Sequence, residues 1–143
     1  METSVRKKEK LKLDFKESKY ATGRRKTSIA KIWLKKGSGK IYINGKNYED
    51  YFKRANHKMQ LLRPFEIINQ PTSYDVRCNV KGGGLTGQVG AMVHGISKAL
   101  VLFDENLKAT LKTEKLTTRD SRAVERKKPG RRKARRSFQF SKR

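Results

Sequence analysis

Apolar and polar residues alternate along two stretches of this chain, which is the pattern of strands that bury one face. Residues 29–43 carry the first alternation on both sides of a turn at residues 37–39, so they are predicted to form a β-hairpin that ends at Asn44-Gly45. Residues 74–80 carry the second alternation, which is the clearest in the sequence. This stretch is predicted to be a strand with its apolar face in the core.

Helical spacing follows each of these stretches. Apolar residues recur at helix spacing over residues 48–62, and Pro64 and Pro71 are expected to limit how far that helix runs. An apolar stripe spaced by three and four residues covers residues 89–103 and predicts a second helix. Asp104 is a candidate cap for a short further helix. Together these elements predict a small α+β domain.

Length and charge define the expected domain organisation. A chain of 143 residues has room for one domain with tails. Residues 1–18 are predicted to be a basic N-terminal extension, residues 19–118 the globular domain, and residues 119–143 an extended basic tail. The formal net charge is +24, of which the tail contributes +10. Because the tail contains few apolar residues, it is expected to be disordered alone and ordered against a polyanion.

The net charge also indicates the class of partner. Nucleic acid is the first candidate for a polyanion that neutralises it, and an anionic membrane is the second. No apolar run approaches the roughly 20 residues that span a bilayer, and no secretory signal opens the chain, so no membrane partner is expected. The acidic residues within residues 1–18 argue against a transit peptide. A single cysteine, Cys78, excludes an internal disulfide and fits a reducing compartment.

The residue types that carry chemistry predict no catalysis, metal, cofactor or small-molecule substrate. His57 and His94 are the only histidines, and neither joins Cys78 in a ligand cluster. The GGGLTG segment at residues 82–87 matches the G-x-G-x-x-G spacing of dinucleotide sites. The second parallel strand that such a site needs is missing, and the chain is too short for that fold. The glycines are predicted instead to form a turn, either purely structural or close to an RNA phosphate.

Two segments point to nucleic acid. The tail, TRDSRAVERKKPGRRKARRSFQFSKR, is richer in Arg than in Lys, which suits forked hydrogen bonds to phosphate. Phe138 and Phe140 lie among these charges, as in segments that stack on nucleotides. Residues 20–28, YATGRRKTS, place three cations beside hydroxyl groups. A solvated tail and an ordinary basic strand entrance are the alternative interpretations, and neither pattern distinguishes RNA from DNA.

A set of motifs in fixed order makes the interpretation specific. YATGRRKTSIAKIWLK, GKIYING, VKGGGLTGQVGA with HGISKAL, TRDSR, VERKK and KARR with QFSKR follow one another. Over residues 19–143 the chain resembles the bacterial-type family of small-subunit ribosomal protein nine (S-nine). The resemblance implies a mixed sheet packed with helices, of the ribosomal-protein S-five domain-two-like kind. It also implies a place in the head of the small subunit, in a bacterial cytoplasm or a mitochondrial matrix.

The resemblance also implies partners and site residues: small-subunit ribosomal RNA, neighbouring head proteins, and transfer RNA in the peptidyl (P) site. It assigns the transfer-RNA contact to Ser141, Lys142 and Arg143. It assigns the ribosomal-RNA contacts to Arg24, Arg25, Lys26, Gly82, Gly83, Gly84, Arg126, Lys127, Lys128, Arg131, Arg132, Lys133, Arg135 and Arg136. The chain departs from the family at Ser137-Phe138, where a basic residue followed by Pro is frequent, and residues 1–18 lie outside the usual core.

Two other classes of function compete with this one. A histone-like protein that condenses DNA shares the basic tails, and preferential binding to duplex DNA would favour it. A nucleotide-dependent enzyme rests on the glycine segment alone, and nucleotide binding by the domain would favour it. Neither accounts for the ordered set of motifs.

Overall fold

A computed structural model describes residues 16–70 and 73–141 of the chain. Three of the sequence predictions therefore concern positions outside the described residues: most of the N-terminal extension, the effect of Pro71, and the roles of Lys142 and Arg143.

The described chain forms five strands and four helices. In chain order they are β1 Lys19–Arg25, β2 Ser28–Lys36, β3 Ile41–Ile43, β4 Lys46–Asn47, α1 Tyr48–Tyr51, α2 Ala55–Ile67, β5 Tyr74–Lys81, α3 Leu85–Phe103 and α4 Leu107–Thr113. The strands make one mixed sheet in the order β1-β2-β5-β3-β4, in which only the β3–β5 pair is parallel. The predicted α+β class is confirmed.

The predicted hairpin over residues 29–43 is wrong in its pairing. Both of its strands exist, but β5 lies between β2 and β3 and pairs with each of them. The hairpin partner of β2 is β1, which the alternation did not identify as a strand. In β1 the buried face is formed by Ala21 and Gly23, which are too small to give an apolar signal. Asn44-Gly45 is a tight turn that leads to the short strand β4, with positive φ at both residues.

The core lies between the sheet and the layer of helices. Helix α3 packs on β1 and β2, while α2 and α4 pack on α3. The predicted stripe of α3 is buried at Val89, Met92, Ile96 and Leu100. The strand predicted over residues 74–80 is confirmed, with Cys78 on its buried face as expected.

A close crossing of backbones joins β1 to α3. A Cβ atom added at Gly23 would overlap the carbonyl oxygen of Ala91 and the backbone of Gly95. A Cβ atom at Gly95 would come within 2.7 Å of Ile32. The absence of side chains at this crossing therefore lets the helix lie directly on the edge strand and fixes the position of the β1–β2 turn beside it.

The helix predicted over residues 48–62 is two helices. Phe52 ends α1 in an extended backbone conformation, and its ring is fully buried, with Tyr51 and His57 packed edge-on against it. Pro64 does not end α2, which runs through it to Ile67. Pro64 is itself buried in the interface of α2 with the core, and this packing offsets the hydrogen bond that its missing N–H group cannot make.

The predicted short helix after α3 is confirmed as α4, with Leu111 buried. Its N-cap is Asn106 rather than Asp104. Asp104 instead ends α3, and its Oδ1 accepts the backbone N–H of Asn106 at 3.0 Å. Among the described helices, none is both long enough and apolar enough to cross a membrane.

Candidate nucleic-acid interface

The β1–β2 turn presents the first group of predicted RNA-binding cations. Arg25 pairs with Ser28 across the hairpin, so Lys26 and Thr27 form a two-residue turn. Lys26 adopts a left-handed backbone conformation with φ of 50° and its side chain is exposed. The turn therefore projects Lys26 into solvent at the end of the hairpin, next to Arg24 and Arg25.

The glycine turn between β5 and α3 lies against the β1–β2 turn. The hydroxyl of Ser28 donates to the carbonyl oxygen of Gly82 at 3.0 Å, and the side-chain amide of Gln88 donates to the same oxygen at 3.1 Å. Gly82 and Gly83 have φ of 77° and 63°, which side chains rarely allow. A Cβ atom at Gly83 would also overlap the Ser28 hydroxyl. The structure thus brings together two predicted segments that are far apart in sequence.

A concave surface of about 430 Å³ opens beside these turns, and we call it the basic cleft. Its lining includes six cationic side chains from four parts of the chain and one acidic side chain, Asp120. The cations are Arg24, Arg25, Lys26, Arg63, Lys115 and Arg122. Thr86 and Gly87, from the first turn of α3, also line it, whereas Gly82, Gly83 and Gly84 lie outside its lining.

The start of the tail is bound to the basic cleft through Asp120. The carboxylate of Asp120 forms an ion pair with Arg25 and a second one with Arg122 at 2.8 Å. The side chains of Arg25 and Asp120 are 25% and 30% exposed, so this pair is only partly screened by solvent. Arg25, which was predicted to contact RNA, therefore already has a partner within the chain.

His94 lies at the wall of the basic cleft as a neutral side chain. Its Nδ1 accepts the backbone N–H of Arg24 at 3.4 Å. Burial is the largest effect and lowers the pKa of His94, followed by the positive charge of Lys98. The charge of Arg119 also lowers the pKa, while hydrogen bonds with the backbone of Thr117 and Arg24 raise it. Since the ordinary value is already below 7, the imidazole is mainly neutral at pH 7. It contributes a hydrogen-bonding group and not a cation.

The tail beyond Asp120 contains neither helix nor strand in its described part, which ends at Ser141. Its basic run nevertheless makes a local loop, because Glu125 pairs with Lys128 at 2.6 Å and with Arg135 at 3.0 Å. These hydrogen bonds, that of Lys128 before that of Arg135, lower the pKa of Glu125. The backbone N–H of Arg132 also donates to the carbonyl of Arg136 at 2.8 Å.

The remaining predicted tail residues are exposed. Ser141 and the described cations of the basic run lie on the surface, with only Lys128 half-exposed. Phe138 is 64% exposed, and Phe140 is fully exposed. Two aromatic rings are therefore open to contact with a partner. The predicted transfer-RNA residues Lys142 and Arg143 lie outside the described residues.

The dinucleotide alternative has no structural support within the described chain. The glycine segment does connect a strand to a helix, as that motif requires. However, β5 pairs antiparallel with β2, and no described strand follows α3. Within residues 16–70 and 73–141, no three His, Cys, Asp or Glu side chains come close enough together to hold a metal ion.

Several residues of the basic cleft were not predicted from the sequence. Arg63, Lys115, Arg122, His94 and Asp120 come from α2, the segment after α4, the tail and α3. Their spacing along the chain gives no sign that they meet. The TRDSR motif contained both Asp120 and Arg122, but only the fold shows that Asp120 faces Arg25.

Comparison with known families accounts for this arrangement. The family model described as ribosomal protein S9/S16 matches residues 23–143, which includes the domain from Gly23 and the whole tail. The chain belongs to this family. As a member it is a structural protein of the small ribosomal subunit that binds ribosomal RNA and assembles with other small-subunit proteins in translation. Proteins of this family are generally not enzymes. The resemblance drawn from the ordered motifs is confirmed.

Proposed function

We propose that the basic cleft and the tail hold small-subunit ribosomal RNA through its phosphates. The observation that carries the proposal is convergence: the β1–β2 turn, the first turn of α3, the segment after α4 and the start of the tail all meet at one cationic surface. Such a surface binds a polyanion by displacing its counterions, whatever the nucleotide sequence.

The ion pairs of the cleft identify which cations remain for RNA. Arg25 and Arg122 share Asp120, and Arg63 pairs with Glu114 at 2.8 Å. Among the described residues, Arg24, Lys26 and Lys115 take part in no salt bridge. Arg24 and Lys26 are therefore proposed as the principal phosphate ligands of the domain. Arg25 serves first to hold the tail and reaches RNA together with it.

The glycine turn supports the same proposal. Gly82, Gly83 and Gly84 have no side chain to block an approaching backbone, and Gly84 is the N-cap of the 19-residue helix α3. The backbone N–H groups at this end of α3 carry a partial positive charge. The turn lies next to Ser28 and the cationic β1–β2 turn. An RNA strand that contacts Lys26 can therefore contact the glycine turn as well.

A matched pair of variants tests the cleft. Arg24→Gln with Lys26→Gln removes two charges from the cleft, and Lys36→Gln with Lys53→Gln removes two exposed charges outside its lining. The cleft variant should lower affinity for the small-subunit ribosomal RNA at 0.15 M salt by about tenfold or more, and the control much less. Equal losses from the two variants would show that the cleft is not a preferred site.

The proposal extends to the tail tip, where Ser141, Lys142 and Arg143 contact P-site transfer RNA from a position in the subunit head. In this proposal, residues 19–118 form the domain that is bound to ribosomal RNA, and residues 119–143 form the segment that extends to the P site. Two observations support this division. The tail leaves the domain at the fixed point set by Asp120 and Arg25, and its described part carries exposed side chains as far as Ser141. Fully extended, such a segment reaches on the order of 80 Å.

Deleting residues 141–143 tests the tip. Small subunits should still assemble, because the cleft and the basic run are intact, while the affinity of P-site transfer RNA falls modestly. Replacing Gln139 by Ala is the control, since it changes the same part of the tail without removing charge. Unchanged transfer-RNA affinity and reading-frame maintenance in subunits that contain the deleted protein would refute the tip contact and leave the cleft proposal standing.

A further inference from the structure

The face of the sheet that points away from α3 is lined by aromatic and cationic side chains. On β2, Ile29, Lys31 and Trp33 point to this side and are exposed or half-exposed, while Ser28, Ala30, Ile32 and Leu34 are buried on the other. We call this surface the open face. Its members on the five strands are Tyr20, Thr22, Arg24, Ile29, Lys31, Trp33, Lys35, Tyr42, Asn47, Asp75, Arg77, Asn79 and Lys81.

One row of the open face contains three aromatic side chains. Tyr20 pairs with Trp33, Trp33 with Arg77, and Arg77 with Tyr42, so four side chains lie side by side across four strands. The ring centres of Tyr20 and Trp33 are 5.3 Å apart, and the guanidinium of Arg77 lies 5.7 Å from the centre of the Trp33 ring. Tyr20 is 46% exposed. Arg77 is exposed as well, whereas Trp33 and Tyr42 are half-buried. The row therefore presents planar groups that are partly open to solvent.

The rows beside it are positively charged. Lys31 pairs with both Thr22 and Asn79, and Lys81 pairs with Ile29. Both lysines are exposed. Asp75 is the only acidic residue in the described strands. It is buried, and its Oδ1 accepts the backbone N–H groups of Ser38 and Lys40, each at 2.9 Å. The open face thus has a strong positive charge around an aromatic centre.

We propose that the open face binds a single-stranded segment of RNA, whose bases stack on the row of Tyr20, Trp33 and Tyr42 and whose phosphates lie along Lys31 and Lys81. Unpaired bases stack on exposed aromatic rings of a sheet, and cations beside the rings hold the backbone. A duplex keeps its bases inside the helix and cannot use the rings in this way.

Charge distinguishes RNA from a protein partner. Aromatic and Arg residues are frequent in protein interfaces too, but Lys is depleted there. On the open face, Lys31 lies on the interior strand β2, in the row next to the aromatic row. A protein partner would have to neutralise this lysine at the centre of the contact. A phosphate backbone supplies the opposite charge along its whole length.

The inference rests on the RNA binding of the family, but on neither the basic cleft nor the tail. Arg24 is the one residue that belongs to both the cleft and the open face. The tests below leave Arg24 unchanged. A failure of the cleft or tail proposal can therefore be separated from a failure of this one.

Trp33 provides a direct measurement, because it is the only tryptophan in the chain. The full-length protein is titrated with a single-stranded oligouridylate and, separately, with an RNA duplex of the same length. The bound fraction is followed by anisotropy of a label on the RNA. Stacking on the row should quench or shift the emission of Trp33 with the single strand and leave it nearly unchanged with the duplex.

Variants locate the contact. Tyr20→Leu keeps an apolar residue on the strand but removes the ring, and should weaken the binding that Trp33 reports by about tenfold. Lys31→Gln should weaken it by about fourfold at 0.15 M salt, whereas Lys112→Gln on α4 should have a smaller effect for the same change of charge. A variant with Arg126, Lys127 and Lys128 changed to Gln should bind the single strand less tightly, but the bound strand should still quench the emission of Trp33.

Three results would overturn the proposal. The Trp33 emission could stay constant while anisotropy shows that the single strand is bound. The quenching could be equal for the single strand and the duplex. Alternatively, during reconstitution of the subunit, the emission of Trp33 could change on addition of neighbouring small-subunit proteins and not on addition of ribosomal RNA. That result would make the open face a protein interface. Thermal unfolding of each variant checks that the sheet is intact.

Discussion

The domain and the tail carry the same sign of charge but are ordered by different interactions. In the domain, apolar side chains from both layers are buried, with Ile32, Ile96 and Leu100 fully inaccessible. In the tail, Val124, Phe138 and Phe140 are exposed, and the local geometry depends on Asp120 and Glu125. Each of these two carboxylates bridges two cations. The domain is therefore held by a buried apolar core, whereas the described part of the tail is held by local hydrogen bonds and by ion pairs that are exposed or partly exposed.

This difference bears on the proposed contacts of the domain and of the tail with RNA. Exposed ion pairs contribute little stability and weaken in salt. A phosphate backbone can replace the carboxylates of Asp120 and Glu125 at their arginine and lysine partners. Under the proposed function, RNA can therefore rearrange the tail, while the positions of the β1–β2 turn and the glycine turn are fixed by the packing of α3 on the sheet.

The largest expected effect separates the two regions by stability. Leu100→Ala removes a fully buried side chain from α3 and should lower the free energy of unfolding by about 2–5 kcal/mol. Leu102→Ala, on the same helix but 55% exposed, and Phe140→Ala in the tail should each change it by less than about 0.5 kcal/mol. Urea unfolding measures all three. A large loss from Phe140→Ala would mean that the tail belongs to the folded core.

The second effect separates the regions by salt dependence. Changing Arg132, Lys133 and Arg136 to Gln should reduce the log–log salt slope of ribosomal-RNA binding by about 2, because three tail phosphate contacts are lost. The free energy of unfolding should not change. The control changes Lys36, Lys53 and Lys112 to Gln, which removes the same charge from the surface of the domain. Similar slopes for the two variants would show that the whole surface, and not the tail, neutralises the RNA.

The sequence predicted the parts of this arrangement that depend on local pattern. The alternation of β5 and the apolar stripe of α3 are visible along the chain, and both elements are confirmed. The role of the basic tail in RNA binding stays a prediction. The insertion of β5 between β2 and β3 was not predictable from alternation, because alternation shows that a strand has a buried face and not which strand is its neighbour. The meeting of Asp120 with Arg25 is likewise a product of the tertiary fold.

The third effect concerns the point where the two regions join. Asp120→Asn should release the start of the tail from Arg25 and make the chain near residues 118–125 more sensitive to trypsin. A double-mutant cycle of Asp120→Asn with Arg25→Gln, measured as the free energy of unfolding, should give a coupling free energy of about 0.5–1 kcal/mol. The value is small because both side chains are partly exposed. Glu125→Gln is the control, because it breaks ion pairs within the tail only. A coupling close to zero would mean that the tail is not anchored at the cleft.

The smallest effect is a pH dependence that belongs to the domain, since the tail contains no histidine. The folded state lowers the pKa of His94, through burial first and then through the positive charges of Lys98 and Arg119. Above pH 6.5, the ordinary value, His94 is mainly neutral in both the folded and the unfolded chain. Below it the unfolded chain takes up a proton more readily, so the folded state loses stability as the pH falls.

His94→Gln should therefore reduce the loss of stability between pH 7.5 and pH 5, while the stability at pH 7.5 changes little. Glutamine keeps a side-chain oxygen that can accept the N–H of Arg24 but has no proton to gain. The measurement is the free energy of unfolding at the two pH values for the unsubstituted protein and for His94→Gln. The titration of carboxylates contributes equally to both proteins and therefore cancels in the comparison. An identical pH dependence would show that the neutral state of His94 is not maintained by the fold, and that the wall of the basic cleft gains a charge in mild acid.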